Sequence, residues 1–177
     1  MGRDVLQSGT IIDGFLVGEK LHVGGMASLW RVTRDDIAFP VVLKTPLILD
    51  GDDATAIVGF EMEQMILPRL TGRHVPRFVA NGDFATQPYI VFERLSGKSL
   101  YPLLDDLPRP ADEVVALGCR IAAALADLHR QNVVHLDIKP SNILFRETGE
   151  AVLVDYGLAR HLHLPDLMDE EFRLPYG

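Results

Sequence analysis

Apolar residues in the first ninety or so positions come in short runs, not in helical stripes. IIDGFLV, SLWRV and FPVVLK, within residues 10–49, are separated by glycine-bearing or charged turns. That is the pattern of an antiparallel meander, and it predicts three strands. Over residues 52–70, DDATAIVGFEMEQMILPRL, the pattern changes: Phe60, Ile66, Leu67 and Leu70 fall near helical spacing behind a pair of aspartates suited to capping. A helix is predicted there, and Pro68, which has no N–H to donate, stops or kinks it near Ile66. Two more strand signals follow, around RFVA and PYIVF, divided by the turn residues Asn81, Gly82 and Asp83.

ERLSGKSL reads as a connector with its turn at Ser96 and Gly97. From Asp112 to Arg130 the residues Val114, Leu117, Ile121, Leu125 and Leu128 recur every three or four positions behind Pro110, which predicts a long amphipathic helix. Then come the polar stretch HLDIKPSN, a short apolar run (NILF), a turn (ETGE) and a strand (AVLVD). The final LARHLHLPDLMDEEFRLPYG has no period and is expected to be irregular. The reading is α+β: five strands and one helix in a first lobe, residues 1–93, and a mainly helical part over residues 94–177.

Composition narrows the classes. A chain of 177 residues holds one domain or two small lobes, and 47% apolar with 24% charged residues is ordinary for a globular protein. The net charge of −8, from 25 acidic and 17 basic side chains, argues against nucleic acid or an anionic membrane as partner. Cys119 is the sole cysteine, so no disulfide pair or cysteine metal site exists, and its Ala/Leu-rich surroundings predict a small buried core residue. No apolar run reaches membrane-spanning length, the opening MGRDVLQSGT lacks a signal peptide's apolar stretch, and Leu6 stands where a myristoylation signal needs Ser or Thr. The expected location is cytoplasmic.

HLDIKPSN concentrates chemistry in eight positions. Phosphoryl transfer from ATP to a hydroxyl needs metal ions on the phosphates, a carboxylate at the hydroxyl and positive charge on the moving group. Asp137 can accept or orient the hydroxyl proton, Lys139 can neutralise the transferring phosphate, and Asn142 can hold Mg²⁺ through its amide oxygen. Pro140 stiffens the loop. Asp155 ends an apolar strand ahead of Tyr156 and Gly157, a second carboxylate suited to metal binding. A lone loop histidine or aspartate is more often structural. It is their joint order and spacing that points to chemistry.

These residues resemble a protein kinase domain, of the eukaryotic-like serine/threonine type found in bacteria. The family's His-Arg-Asp-x-x-x-x-Asn reads here as His135, Leu136, Asp137 and Asn142, and its Asp-Phe-Gly as Asp155, Tyr156 and Gly157. The resemblance implies a bilobal kinase fold with ATP and Mg²⁺ and a protein substrate phosphorylated on Ser or Thr. By the same resemblance Lys44 contacts the α- and β-phosphates and Glu63 pairs with it. Leu21, Leu29, Val42 and Leu144 would enclose the adenine, Phe92 would be the gatekeeper, and backbone groups from Glu93 to Leu95 would bond the adenine edge. The glycine loop matches only in part: His22, Gly24 and Ala27 take the pattern's three glycine positions, with Gly25 beside Gly24. Gly24 and Gly25 are the expected phosphate contacts.

Departures from the pattern carry expectations too. Leu136 replaces the arginine that would meet an activation-segment phosphate, and no Ser or Thr occurs between Asp155 and Gly177, where Tyr156 and Tyr176 carry the only hydroxyls. Activity independent of Ser/Thr phosphorylation in that segment is expected; the acidic run Asp169, Glu170 and Glu171 reads as a solvated face. The sequence closes at LPYG, ahead of any Ala-Pro-Glu motif, which suggests a continuation in a longer chain or a truncated product, with apolar surface left open on the long helix. Two alternatives to a protein kinase remain at this stage. One is a nucleotide-binding or scaffolding pseudokinase; the other is a small-molecule kinase of the aminoglycoside or choline type, against which the Lys and Pro of DIKPSN weigh.

Overall fold

The computed structural model describes residues 6–47 and 54–167. Two compact units are distinguished, one from residues 1–56 and 78–94, the other from 57–77 and 95–177. The predicted capping aspartates Asp52 and Asp53, the acidic run Asp169 to Glu171, and Tyr176 lie outside the described residues.

The first unit is an antiparallel sheet of β1 (Ile11–Ile12), β2 (Phe15–Val23), β3 (Ala27–Thr33), β4 (Val41–Pro46), β5 (Phe78–Gly82) and β6 (Tyr89–Glu93), ordered β1-β2-β3-β4-β6-β5. The five expected strands are present, with one addition. IIDGFLV is not a single strand: Asp13 (φ 46°) and Gly14 (φ 81°) form a tight turn that folds β1 back on β2, pairing Ile12 with Phe15. Both turn residues need positive φ, which Asp-Gly tolerates best. Asn81 and Gly82 also differ from expectation, since they close β5 instead of forming a turn. The turn lies just beyond, where the Asp83 carboxylate accepts from the Thr86 amide at 3.0 Å. Glycine at position 82 is required by packing: a Cβ would come within 2.4 Å of the Tyr89 ring.

One face of this sheet makes the core. Phe15 and Val17, Trp30 and Val32, Val41 and Leu43, Tyr89 and Val91 alternate inward along their strands. Burial of each stabilises the unit by roughly 1.5–3 kcal/mol. The Tyr89 hydroxyl donates to the Asp13 carboxylate, tying β6 to the β1–β2 turn.

The second unit holds most of α1 (Ala54–Ile66), then α2 (Ala111–Arg130), β7 (Val133–Val134), β8 (Ile143–Phe145), β9 (Ala151–Leu153) and β10 (Arg160–His161). The helix at α1 ends at Ile66, where Pro68 forces a 3-10 turn over Leu67–Arg69. Pro110 caps α2, with Asp112 and Glu113 in its first turn and His129 and Arg130 in its last, each charge suited to its end of the helix dipole.

A narrow sheet organises this unit. β8 pairs with β9. The far edge of β8 takes the connector: Leu100 N–H donates to Ile143 O at 2.8 Å and Phe145 N–H to Lys98 O at 3.1 Å. The far edge of β9 takes the loop after α1, with Leu153 N–H donating to His74 O at 2.9 Å. The Arg146 guanidinium clips that loop down through the carbonyls of Arg73 (2.9 Å) and Val75 (3.2 Å). Gly97 follows from the tight connector: a Cβ there would lie 1.3 Å from the Phe145 carbonyl oxygen.

Cys119 corrects an expectation, because it is exposed. Only the second half of α2 packs, burying Ala124 and Leu128 along β7 and β9. Val114 and Val115 are 51% and 65% exposed, so the apolar stripe is open as expected and Cys119 lies on the uncovered part.

Candidate active site

The second unit builds its polar loop from β7 onward. Asn132 (φ 61°) turns the chain out of α2, and β7, held by β10, delivers His135 into the interior at 1% exposure. His135 Nε2 lies 3.0 Å from Val154 O, and a carbonyl only accepts, so Nε2 carries the proton. Nδ1 is then free to accept the Asp137 N–H at 3.3 Å. One neutral imidazole thus joins the loop to the chain ahead of Asp155. Burial holds its pKa below the usual histidine range, outweighing the Val154 bond and the two nearby carboxylates.

Asp137 is held from two sides. Lys139 Nζ donates to its Oδ2 at 2.7 Å; Asn142 Nδ2 donates to the same oxygen and to the Asp137 carbonyl, both at 3.0 Å. The Asp137 Oδ1 atom has no partner among the described residues. The bond to Asp137 raises the Lys139 pKa, which keeps the ammonium charged. Pro140 starts the 3-10 turn that carries Asn142 into a buried position. Leu136 has φ 61° and is 55% exposed.

Asn142 spends its amide N–H groups on Asp137, and its Oδ1 accepts from the Ser141 hydroxyl at 3.5 Å. Its carbonyl accepts the Val154 N–H at 3.1 Å, so Asn142 and Asp155 lie on directly bonded segments. An amide oxygen and a carboxylate are hard donors, which fits Mg²⁺: that ion takes one or two protein ligands and fills its sphere with phosphate and water. No group of three His, Cys, Asp or Glu able to hold a metal occurs among the described residues.

Asp155 itself has φ 68°. Tyr156 is fully buried, its ring 5.1 Å from that of His135, and its hydroxyl donates to Leu153 O at 2.9 Å. Burial, with the Glu63 charge adding, pushes its pKa up. Gly157 lies against Gly59 of α1, so α1 and the Asp155 loop are packed together and buried Glu63 comes near Tyr156. The sequence reading named the Tyr156 hydroxyl but gave it no partner; its bond to Leu153 O has no signal in the sequence beyond tyrosine standing in place of phenylalanine.

The first unit carries most of the other expected residues. Registers pair Leu29 with Lys44 and Val42 with Phe92, and Val42 and Lys44 are two apart, so all four share the sheet face opposite the core. Leu21 lies where β2 bulges against β3, and Glu93 pairs with Val41. Gly24 N–H donates to Ala27 O at 2.9 Å, closing the turn that holds Gly25. Leu95 lies in the connector and Leu144 on β8, in the second unit.

Comparison with known proteins matches these features. A protein kinase domain model matches residues 15–174. The serine/threonine-protein kinase PknL of Mycobacterium bovis is 32% identical over 159 residues, covering 89% of this chain and 40% of that protein. LIM domain kinase 1 of Drosophila melanogaster is 32% identical over 166 residues, covering 92% and 12%. The crystal structure of the Mycobacterium tuberculosis PknI kinase domain superposes with a TM-score of 0.69 at 25% identity, over 88% of this chain and 64% of that one. The chain spans two fifths of PknL's length. With the motif order, the strand registers and the loop geometry in agreement, the chain belongs to the protein kinase family.

Proposed function

We propose that this chain is the catalytic region of a serine/threonine protein kinase, transferring the ATP γ-phosphoryl group to a protein hydroxyl with Mg²⁺. The observation that carries this is the Asp137 carboxylate, fixed through Oδ2 by Lys139 and Asn142 and open at Oδ1. Oδ1 orients the substrate hydroxyl and takes up its proton as the oxygen attacks. Lys139 stays charged and, released from Asp137 as phosphate enters, offsets the charge on the transferring group. Asn142 and Asp155 would hold the metal, which draws charge from the phosphate oxygens. Lys44 would take the α- and β-phosphates, with Glu63 the carboxylate that the family resemblance assigns to it, and Gly24 and Gly25 the backbone contacts. Leu21, Leu29, Val42, Phe92, Glu93, Leu95 and Leu144 would bind the adenine.

The Ser/Thr substrate class follows the similarity to PknL, a serine/threonine-protein kinase. A cytoplasmic location remains part of the proposal; no helix among the described residues is long and apolar enough to cross a membrane. Exposed Leu136 offers no charge to a phosphate, so activity is expected without Ser/Thr phosphorylation of residues 155–177. Phosphate mapped there, with activity lost on its removal, would overturn that point. The decisive test of the whole reading is Asp137→Asn, which should abolish transfer to protein and leave ATP binding intact. Full activity in that variant, or transfer to small alcohols and not to proteins, would refute it.

A further inference from the structure

Tyr156 stands where the family pattern has phenylalanine, and its extra oxygen is not idle. The ring is fully buried and Oη donates to Leu153 O at 2.9 Å. That bond spans Val154 and Asp155, so a side chain closes a turn whose inner residue, Asp155, has φ 68°, a region unfavourable to any residue with a Cβ. The entry to the turn is held by backbone: Leu153 N–H to His74 O (2.9 Å) and Val154 N–H to Asn142 O (3.1 Å). His135 holds Val154 O as well, at 3.0 Å. On the exit side the Tyr156 carbonyl accepts from Ala159 N–H at 3.0 Å. Across Asp155 itself, the tyrosine hydroxyl joins entry to exit.

We infer that the Tyr156 hydroxyl is a positioning group that fixes the direction of the Asp155 carboxylate, and through it the affinity of the site for Mg²⁺. A phenyl ring fills the same space and lets the turn relax. The inference rests on the reading of Asp155 as a metal ligand, and the two are separable by experiment.

The test uses the whole chain as wild type, Tyr156→Phe and Asp155→Asn. Tyr156→Phe removes a single oxygen and keeps the packing. Mg²⁺ is titrated at fixed ATP while the thermal midpoint is followed, and ATP affinity is measured separately in EDTA. The expected result is a half-saturating Mg²⁺ concentration about three- to tenfold higher in Tyr156→Phe, the range set by loss of one buried hydrogen bond. ATP affinity in EDTA should not change, and Asp155→Asn should lose the Mg²⁺ response. A Tyr156→Phe titration that overlays wild type, even with a lower ligand-free midpoint, overturns the positioning role and leaves Asp155 as a ligand. If wild type shows no Mg²⁺ response, or Asp155→Asn keeps it, the metal reading itself fails and this inference falls with it.

Discussion

In the turn between β2 and β3 the ties are backbone only, Gly24 N–H to Ala27 O and Leu47 N–H to Met26 O, and Val23 and Met26 are 55% and 58% exposed. In the loop between β7 and β8 the polar groups hold one another: His135, Asp137, Lys139 and Asn142 are linked by five hydrogen bonds, counting the one to Val154. The first region keeps little of its family pattern and the second keeps nearly all. A turn that offers only backbone N–H groups can change sequence so long as the backbone still approaches the phosphates. A network of side chains cannot, because removing one member strands its partners.

That contrast can be broken most sharply at Asp137. Asp137→Asn should lower transfer by about 10²–10⁴-fold while thermal stability changes little; phosphotransfer and melting curves on the same preparation check it. The next effect tests the connector. Gly97→Ala should cost about 3 kcal/mol or more, since a Cβ 1.3 Å from a backbone oxygen forces the strip apart. Denaturant unfolding of the variant measures this, and an unchanged midpoint would show that the connector is not held against β8.

A smaller effect comes from His135. Its pKa is depressed in the folded chain, so below the unfolded value of about 6.5 the unfolded state binds the extra proton more readily. Stability should be flat above neutrality and fall as pH drops below about 6.5, down to the folded pKa. Unfolding free energies at stepped pH should show a shallower slope in His135→Gln, which keeps a donor for Val154 O and has no proton to gain. The least effect is expected at Gly25, where a Cβ meets nothing within 4 Å. Gly25→Ala should leave stability within about 0.5 kcal/mol and weaken ATP several-fold only if phosphate approaches that backbone. Equal ATP affinities by calorimetry would take Gly25 out of the site and widen the contrast.

The two helices show what was legible in the sequence. The regular spacing of α2 gave its limits to within a residue, because period and capping are local properties. Whether its stripe is covered is not local, and Cys119, read as core, is exposed for that reason. The less regular α1 buries Val58, Phe60, Met62 and Ile66, and Glu63 with them. Asp13-Gly14 carried a strong hairpin signal that was overlooked inside an apolar run, which is why β1 and β2 read as one strand. At the candidate site, motif spacing singled out Asp137, Asn142 and Asp155 as the residues to look for. Spacing could not show which Asp137 oxygen is left open, which depends on how the loop folds Lys139 and Asn142 back onto the carboxylate, or which proton His135 keeps, which depends on Val154 O from another segment.

The strip made by the connector, β8, β9 and the loop after α1 has a further consequence for how the chain reaches its fold. His74 bonds Ala151 across 77 residues and Arg146 bonds Arg73 across 73, so no stretch of nearby sequence can assemble it. Closing such long loops is slow compared with winding α2 from its own neighbours. During synthesis the loop at His74 must wait for β9 to emerge, and the Leu153 amide stays open to solvent exchange until that loop docks on it. Protection of that one amide therefore clocks the moment at which the second unit becomes a single body.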